Sequence, residues 1–254
     1  MTINSAPLTV SVHGGWRYYG GANPTFTNTI AGLVNGDTVT VTDETTAVPT
    51  SPVGTYPVTA TVSGAKAVNY AIYVADSTLG VHPVVLHIAA KNEAVTYGQT
   101  PAAPTAYNLL GFVNGETASV VSGVPALSTT VTSRTPVGVY QIGVNVGMLT
   151  AANYIFTTWA SGMGNVQVYK AHLKVTANDL SMHQGGLVPS LTYTLNGFLN
   201  GDTAANAMTG APQLTTTVSS SSRPGRYWII VGAGTLASNN YVFDRVNGIL
   251  TVQP

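Results

Sequence analysis

Four short motifs recur three times in the same order along this 254-residue chain, and that repetition constrains the fold more than any other feature. The first motif is Gly32-Leu33-Val34-Asn35-Gly36-Asp37-Thr38, which returns as Gly111-Phe112-Val113-Asn114-Gly115-Glu116-Thr117 and as Gly197-Phe198-Leu199-Asn200-Gly201-Asp202-Thr203. The second is Pro52-Val53-Gly54-Thr55-Tyr56, followed by Pro136-Val137-Gly138-Val139-Tyr140 and, more loosely, by Arg223-Pro224-Gly225-Arg226-Tyr227. Asn69-Tyr70, Asn153-Tyr154 and Asn240-Tyr241 form the third, and the strand-like Leu79-Gly80-Val81, Val166-Gln167-Val168 and Leu250-Thr251-Val252 form the fourth. The tyrosine of the second motif and the Asn-Tyr pair advance by the same two steps. The chain therefore divides into a short tail over 1–7 and three modules over 8–82, 83–169 and 170–254, with almost no linker between them. Because it starts and stops at repeat edges, the expectation is a segment of a longer array, with Met1 an added start.

Each module opens on a strand. Leu8-Thr9-Val10-Ser11-Val12 and Leu173-Lys174-Val175-Thr176-Ala177 alternate apolar and polar residues with a period of two. A Gly-containing turn follows at Tyr19-Gly20-Gly21, Tyr97-Gly98-Gln99 and His183-Gln184-Gly185. The Asn-Gly of the first motif supplies positions that tolerate positive φ, and the acid with its Thr suits a cap. Asp202 to Met208 is Ala-rich enough for about two helical turns, whereas Val39-Thr40-Val41-Thr42 is β-branched and reads as strand. The pattern predicts a mainly β chain with five or six strands per module, in a mostly antiparallel sheet with at most one short helix. A module of about 85 residues buries one modest core. Three such cores in series predict an elongated rod on the order of 100 Å long.

Composition removes several function classes. Nine basic residues balance nine acidic ones and only 7% of the chain is charged, so the field that gathers nucleic acid or an anionic membrane is missing. No apolar run approaches the roughly 18–20 residues that span a bilayer, so no membrane insertion is expected of this segment. Cysteine is absent, which rules out disulfides and thiolate chemistry. The opening residues have neither a basic nor an apolar stretch, so a targeting signal is expected outside this chain.

No hydrolase elbow, phosphate loop, zincin helix or dinucleotide fingerprint occurs, and the chain is read as no enzyme, with no catalytic residue and no cofactor. His82 and His87 flank a module boundary at a spacing that puts them on opposite faces of a strand, so a metal reading is set aside. The recurring acid Asp37, Glu116 and Asp202 comes once per module, too few oxygens for calcium, and is read as a turn or helix cap. Tyr56, Tyr140 and Tyr227, with Tyr70, Tyr154 and Tyr241, are read as core residues whose hydroxyls reach an edge. Together with Gly36, Gly115, Gly201, Gly54, Gly138 and Gly225 they form the structural signature. Trp16, Trp159 and Trp228 do not recur; core packing is favoured for them, and Trp16, Tyr18 and Tyr19 are the first choice for a ligand or contact patch.

The Tyr-Gly-x turn, Gly-Phe-x-Asn-Gly-Asp-Thr, Pro-Val-Gly-x-Tyr and Asn-Tyr together resemble the MBG-type repeat domains, in particular the YGX-type subgroup, over nearly the whole chain. That resemblance implies β-grasp-like modules in tandem and a large bacterial surface protein or filamentous-haemagglutinin-like adhesin as the setting. His183-Gln184 in place of Tyr-Gly and Arg223-Pro224 in place of Pro-Val depart from the pattern in the third copy. The function expected is a structural or adhesive repeat segment, a spacer, stalk or filament-forming array, that is secreted or on the cell surface. A carbohydrate-binding module that uses exposed aromatics is the alternative. Expected partners are the neighbouring repeats, with self-association through weakly protected edge strands or cell-surface glycans beyond them.

Overall fold

The structure is a computed structural model that describes residues 4–158 and 163–254. The first repeat contains β1 (Ala6–His13), β2 (Gly15–Tyr18), β3 (Thr27–Ala31), β4 (Thr40–Thr45), β5 (Gly54–Ser63), β6 (Tyr70–Ala75) and β7 (Ser77–His82). The second contains β8 (Val84–Ala90), β9 (Glu93–Thr96), β10 (Tyr107–Leu110), β11 (Ala126–Ser128), β12 (Gly138–Gln141), β13 (Gly143–Asn145), β14 (Tyr154–Thr158) and β15 (Asn165–Tyr169). The third contains β16 (Ala171–Ala177), β17 (Leu180–His183), β18 (Tyr193–Asn196), α1 (Ala204–Ala207), β19 (Gln213–Thr216), β20 (Gly225–Gly232), β21 (Tyr241–Val246) and β22 (Gly248–Gln253).

The mainly β reading holds, and where the sequence suggested one sheet per repeat the strands are shared between two small sheets in the first and third repeats and among three, β10-β8-β14, β11-β13 and β12-β15-β9, in the second. In the first repeat the sheets run β3-β1-β6 and β2-β7-β5-β4. The third repeats this as β18-β16-β21 and β17-β22-β20-β19. Each sheet carries one parallel pair: β1 with β6 and β2 with β7, then β16 with β21 and β17 with β22. The remaining pairs are antiparallel. The division follows from the opening strand, whose two halves join different sheets on either side of Gly14. Helix is minor and peripheral. Single 3₁₀ turns at Ala67–Asn69 and Ala118–Val120 and the one-turn α1 contain no buried residue, unlike the helix that packs on the sheet of a β-grasp. The stretch read as two helical turns stops after one, because Met208 is already extended and Thr209 forms a bridge with Ala237.

Burial follows the period of two. Leu8, Val10 and Val12 point inward from β1, and Ala171, Leu173, Val175 and Ala177 do so from β16. Burying each such Leu or Val stabilises the fold by roughly 1.5–3 kcal/mol. The core of the first repeat gathers Val12, Ala47, Val58 and Leu79. That of the third gathers Val175, Ala177, Met182, Val218, Ile229, Val231, Leu250 and Val252. One difference is chemical. Arg17 faces Val81 in the register where Met182 faces Val252, and its guanidinium is buried on neutral acceptors: Asn23 Oδ1 at 2.8 Å, Tyr18 O at 3.2 Å and Val48 O at 2.5 Å. It tethers two loops where the third repeat uses apolar packing.

The three repeats are distributed over two compact units. One comprises Met1–Ala89, Tyr107–Ala126 and Val144–Gly162, and thus the whole first repeat with the β10-β8-β14 sheet of the second. The other comprises Ala90–Ala106, Leu127–Gly143 and Met163–Pro254, and thus the β12-β15-β9 sheet of the second with the whole third. Each unit contains one boundary between successive repeats.

Candidate functional site: the joint between successive repeats

The first motif folds into the same tight turn three times. Asn35, Asn114 and Asn200 have φ of 54°, 55° and 56°, and the glycines after them 69°, 73° and 80°. Two consecutive positive φ values define a type I′ turn, which Asn-Gly adopts at least cost. The acid then closes it, with Asp37 N–H on Val34 O at 3.0 Å, Glu116 N–H on Val113 O at 3.0 Å and Asp202 N–H on Leu199 O at 2.8 Å. Capping falls to the following threonine instead. Thr117 Oγ1 accepts from Ser119 N–H, and Thr203 N–H donates to Asn206 Oδ1 at 2.7 Å.

The carboxylate faces the tyrosine that opens β6, β14 and β21. Tyr70, Tyr154 and Tyr241 are buried. Their hydroxyls accept from the N–H of Val34 at 3.1 Å, Val113 at 3.2 Å and Leu199 at 2.9 Å. They donate to Asp37 Oδ2 at 3.0 Å, to Glu116 Oε2 and to Asp202 Oδ2 at 2.7 Å. Turn, acid and tyrosine form a cradle at the leading end of each repeat. Burial, and next the adjoining carboxylate, push the Tyr154 phenol up to about 12 against the lowering effect of the Val113 N–H. For Tyr241 burial again dominates, and with Asp202 it outweighs the Leu199 N–H to give about 12. Both phenols remain donors through the physiological range.

Two of the cradles are filled by the preceding repeat. Within the first unit Tyr19 donates to Glu116 Oε1 at 2.8 Å and meets the Tyr154 ring edge to face, centroids 5.8 Å apart at 82°. Within the second, Tyr97 donates to Asp202 Oδ2 at 2.9 Å and meets Tyr241 at 5.6 Å and 82°. The next residue is glycine at φ +80° and +90°, and a Cβ there would lie 2.7 Å from Val113 Cγ2 at Gly20 and 2.3 Å from Leu199 Cδ1 at Gly98. The Pro-Val-Gly turn adds a second clasp. Val53 N–H donates to Asn153 Oδ1 at 3.0 Å, and Val137 N–H to Asn240 Oδ1 at 3.1 Å. Tyr56 and Tyr140 hold that turn, each donating to the proline carbonyl four residues earlier at 2.8 and 2.9 Å. Phe112 and Phe198 complete each cradle edge to face with its tyrosine, at 5.5 and 5.8 Å.

Hydrogen bonds to a charged acceptor contribute about 1.5–3 kcal/mol each, and a favourably set aromatic pair about 0.5–1.5 kcal/mol. The recurring motifs thus build a joint, in which the Tyr-Gly and Pro-Val-Gly turns of one repeat enter the Asn-Gly-acid and Asn-Tyr residues of the next. From sequence alone the recurring tyrosines are expected in the core and the recurring acid at a cap. The structure makes the acid the acceptor for tyrosines from two repeats, a pairing invisible without the fold because the partners lie 97 and 105 residues apart.

The suggested ligand patch separates. Trp16 and Tyr18 are exposed, at 61% and 55%, and touch each other at 83° with centroids 5.5 Å apart, and His82 also meets Trp16 edge to face, at 5.8 Å and 87°. Such edge-to-face rings offer no coplanar platform for a sugar. Tyr19 is 5% exposed and belongs to the joint. Trp228 is also 61% exposed, so neither it nor Trp16 is the core residue expected; Trp159 lies outside the described residues. Among the described residues no group of three or more His, Asp and Glu side chains is arranged to hold a metal ion, and no helix is long and apolar enough to cross a membrane.

The hydrogen-bond register also corrects the third copy. Tyr19, Tyr97 and Gln184 donate their N–H to His82, Tyr169 and Gln253, the last residue of each closing strand. Gly20, Gly98 and Gly185 donate to Pro49, Ser133 and Ser220. The counterpart of Tyr-Gly is therefore Gln184-Gly185, one residue later than the sequence suggested: the glycine is kept and the tyrosine is replaced. No curated protein sequence matches the chain. The model of the MBG domain (YGX type) matches it three times, over residues 8–80, 86–163 and 173–251, and the chain belongs to that family as a tandem of three members.

Proposed function

We propose that this chain is a structural segment of a large secreted or cell-surface bacterial protein, in which jointed repeats act as a spacer, stalk or part of a filament. The observation that carries this reading is that the residues shared by the repeats converge on the contact between one repeat and the next. A chain selected to bind a ligand or to catalyse a reaction concentrates its recurring polar groups in a pocket. Here they are consumed by holding repeats together. The surface setting draws its support from the family and from a composition low in charge and rich in Gly, Thr, Ser and Asn.

The test is whether the joints make the repeats unfold together. Thermal unfolding of the full chain should be sharply cooperative, and Glu116→Ala with Asp202→Ala should split it into separate, lower transitions. Unchanged cooperativity would remove the basis of this reading. Small-angle scattering addresses the extended arrangement, with an elongated particle expected and a compact one counting against a spacer.

A further inference from the structure

The cradle of the first repeat is built like the other two and, among the described residues, stands open. Val34 N–H, the Tyr70 hydroxyl and Asp37 Oδ2 are in place at 3.1 and 3.0 Å, and they border a cavity of about 590 Å³ that Asn4, Ser5, Asn35 and Asn69 also line. Val34, whose counterpart Val113 sits over Gly20, is 46% exposed. Lys66 pairs with Asp37 Oδ1 at 3.6 Å from the solvent side, which leaves Oδ2 for tyrosine. Asp202 Oδ2 accepts two tyrosines at once, so one oxygen suffices.

The trailing end of the third repeat is the reverse case. Its backbone keeps the joint geometry, with Gln184, Gly185 and Gly186 N–H on the same carbonyls as their counterparts, but both groups that would engage a following cradle are gone. Gln184 replaces the tyrosine, and Pro224 replaces the valine whose N–H meets the asparagine, since Tyr227 bonds to Arg223 O as Tyr140 does to Pro136 O. Proline has no N–H to give. The trailing ends of the first and second repeats are already occupied by their successors.

We propose that the open cradle of the first repeat is a docking site for the Tyr-Gly and Pro-Val-Gly turns of a further YGX-type repeat preceding it in the same polypeptide, and that the third repeat ends this kind of joint. The route of the chain selects an upstream repeat as the occupant. At the second boundary β15 ends at Tyr169 and β16 begins at Ala171, paired with Tyr241. Ala6 is paired with Tyr70 in the same register, so a closing strand that ended near Asn4 would deliver its repeat onto this cavity. An unmodified second copy of this chain does not fit, because its free trailing end lacks both the tyrosine hydroxyl with its ring and the valine N–H. The inference rests on reading the recurring residues as joints.

Restoring the two groups turns that statement into a measurement on the full chain. Sedimentation equilibrium up to millimolar concentration should show the native chain as a monomer. Gln184→Tyr with Pro224→Val should associate head to tail, with at least a tenfold gain in association constant. Adding Asp37→Ala and Tyr70→Ala should return the monomer. The proposal is overturned if the restored variant, shown by circular dichroism to be folded, stays monomeric, if its association survives loss of the cradle residues, or if the native chain associates equally well. Loss of cooperative unfolding in the joint variants, by contrast, bears on the function proposed above and reads separately.

Discussion

Asp202 and Asp37 occupy the same place in the same turn, and what surrounds them differs. Asp202 takes hydroxyls from Tyr241 of its own repeat and Tyr97 of the preceding one, whereas Asp37 takes Tyr70 and the half-exposed Lys66. The lysine has no counterpart at the filled cradles, where Thr150 and Ala237 stand three residues before the Asn-Tyr pair. The filled cradle is a buried polar contact that must be fully satisfied. The open one is a surface turn whose charge is offset from solvent. The pair teaches that the turn, the acid and the first tyrosine form within one repeat, and that the second tyrosine is what couples repeats.

Glycine substitutions should separate the two states most widely. Gly98 and Gly185 share the left-handed conformation at φ +90° and +82°, but a Cβ at Gly98 meets Leu199 and one at Gly185 meets nothing within 4 Å. Gly98→Ala is expected to cost about 3 kcal/mol, as backbone strain plus a contact that must give way, and Gly185→Ala about 1 kcal/mol, as strain alone. Urea unfolding measures both. Equal costs would mean that the joint at Gly98 is not closed.

Alkali should open the joints next. Because the folded-state values for Tyr154 and Tyr241 are raised from 10.0 to about 12, folding holds their protons more tightly than the unfolded chain does. That contribution is complete below pH 10 and fades as pH rises through about 12, by on the order of 2–3 kcal/mol for each tyrosine. Absorbance titration should show Tyr154 and Tyr241 ionising above pH 10, toward about 12, with stability falling across the same interval. Stability that is flat from pH 10 to pH 12 would be the contrary result.

Removing a hydroxyl compares the cradles directly. Tyr241→Phe strands the Leu199 N–H and a lone pair of Asp202 in a buried joint, at about 2 kcal/mol, while Tyr70→Phe exposes the corresponding groups to water at about 1 kcal/mol or less. The smallest effect belongs to Trp16→Ala. An exposed ring outside every joint should shift stability by no more than about 0.5 kcal/mol, and binding on a glycan array that vanishes with this change would revive the carbohydrate reading.

Much of this was open to sequence reasoning, for reasons that also set its limit. The Asn-Gly turn announces itself because few residues other than glycine tolerate positive φ, and alternation in β1 and β16 follows from one buried face. Local chemistry of that kind is written in adjacent residues. Tyr19, however, stands beside Trp16 and Tyr18 in the chain and sequence alone groups it with them, while its role depends on Glu116 and Tyr154 in the next repeat. The shift from His183-Gln184 to Gln184-Gly185 is of the same sort: a one-residue register is fixed by hydrogen bonds to Gln253 and Ser220, partners that the adjacent residues do not reveal. The two-sheet arrangement is not legible because the alternation of Leu8 to Val12 marks which face is buried and not which strands pair, so nothing local shows that β1 and β2 join different sheets on either side of Gly14.

A double-mutant cycle on the full chain, pairing Tyr97→Phe with Asp202→Ala and read by equilibrium unfolding, tests the joint itself. If the recurring residues exist to couple repeats, the two changes are non-additive by at least about 1 kcal/mol. Additive changes would contradict the account, because they would mean that the tyrosine of one repeat and the acid of the next stabilise the protein independently.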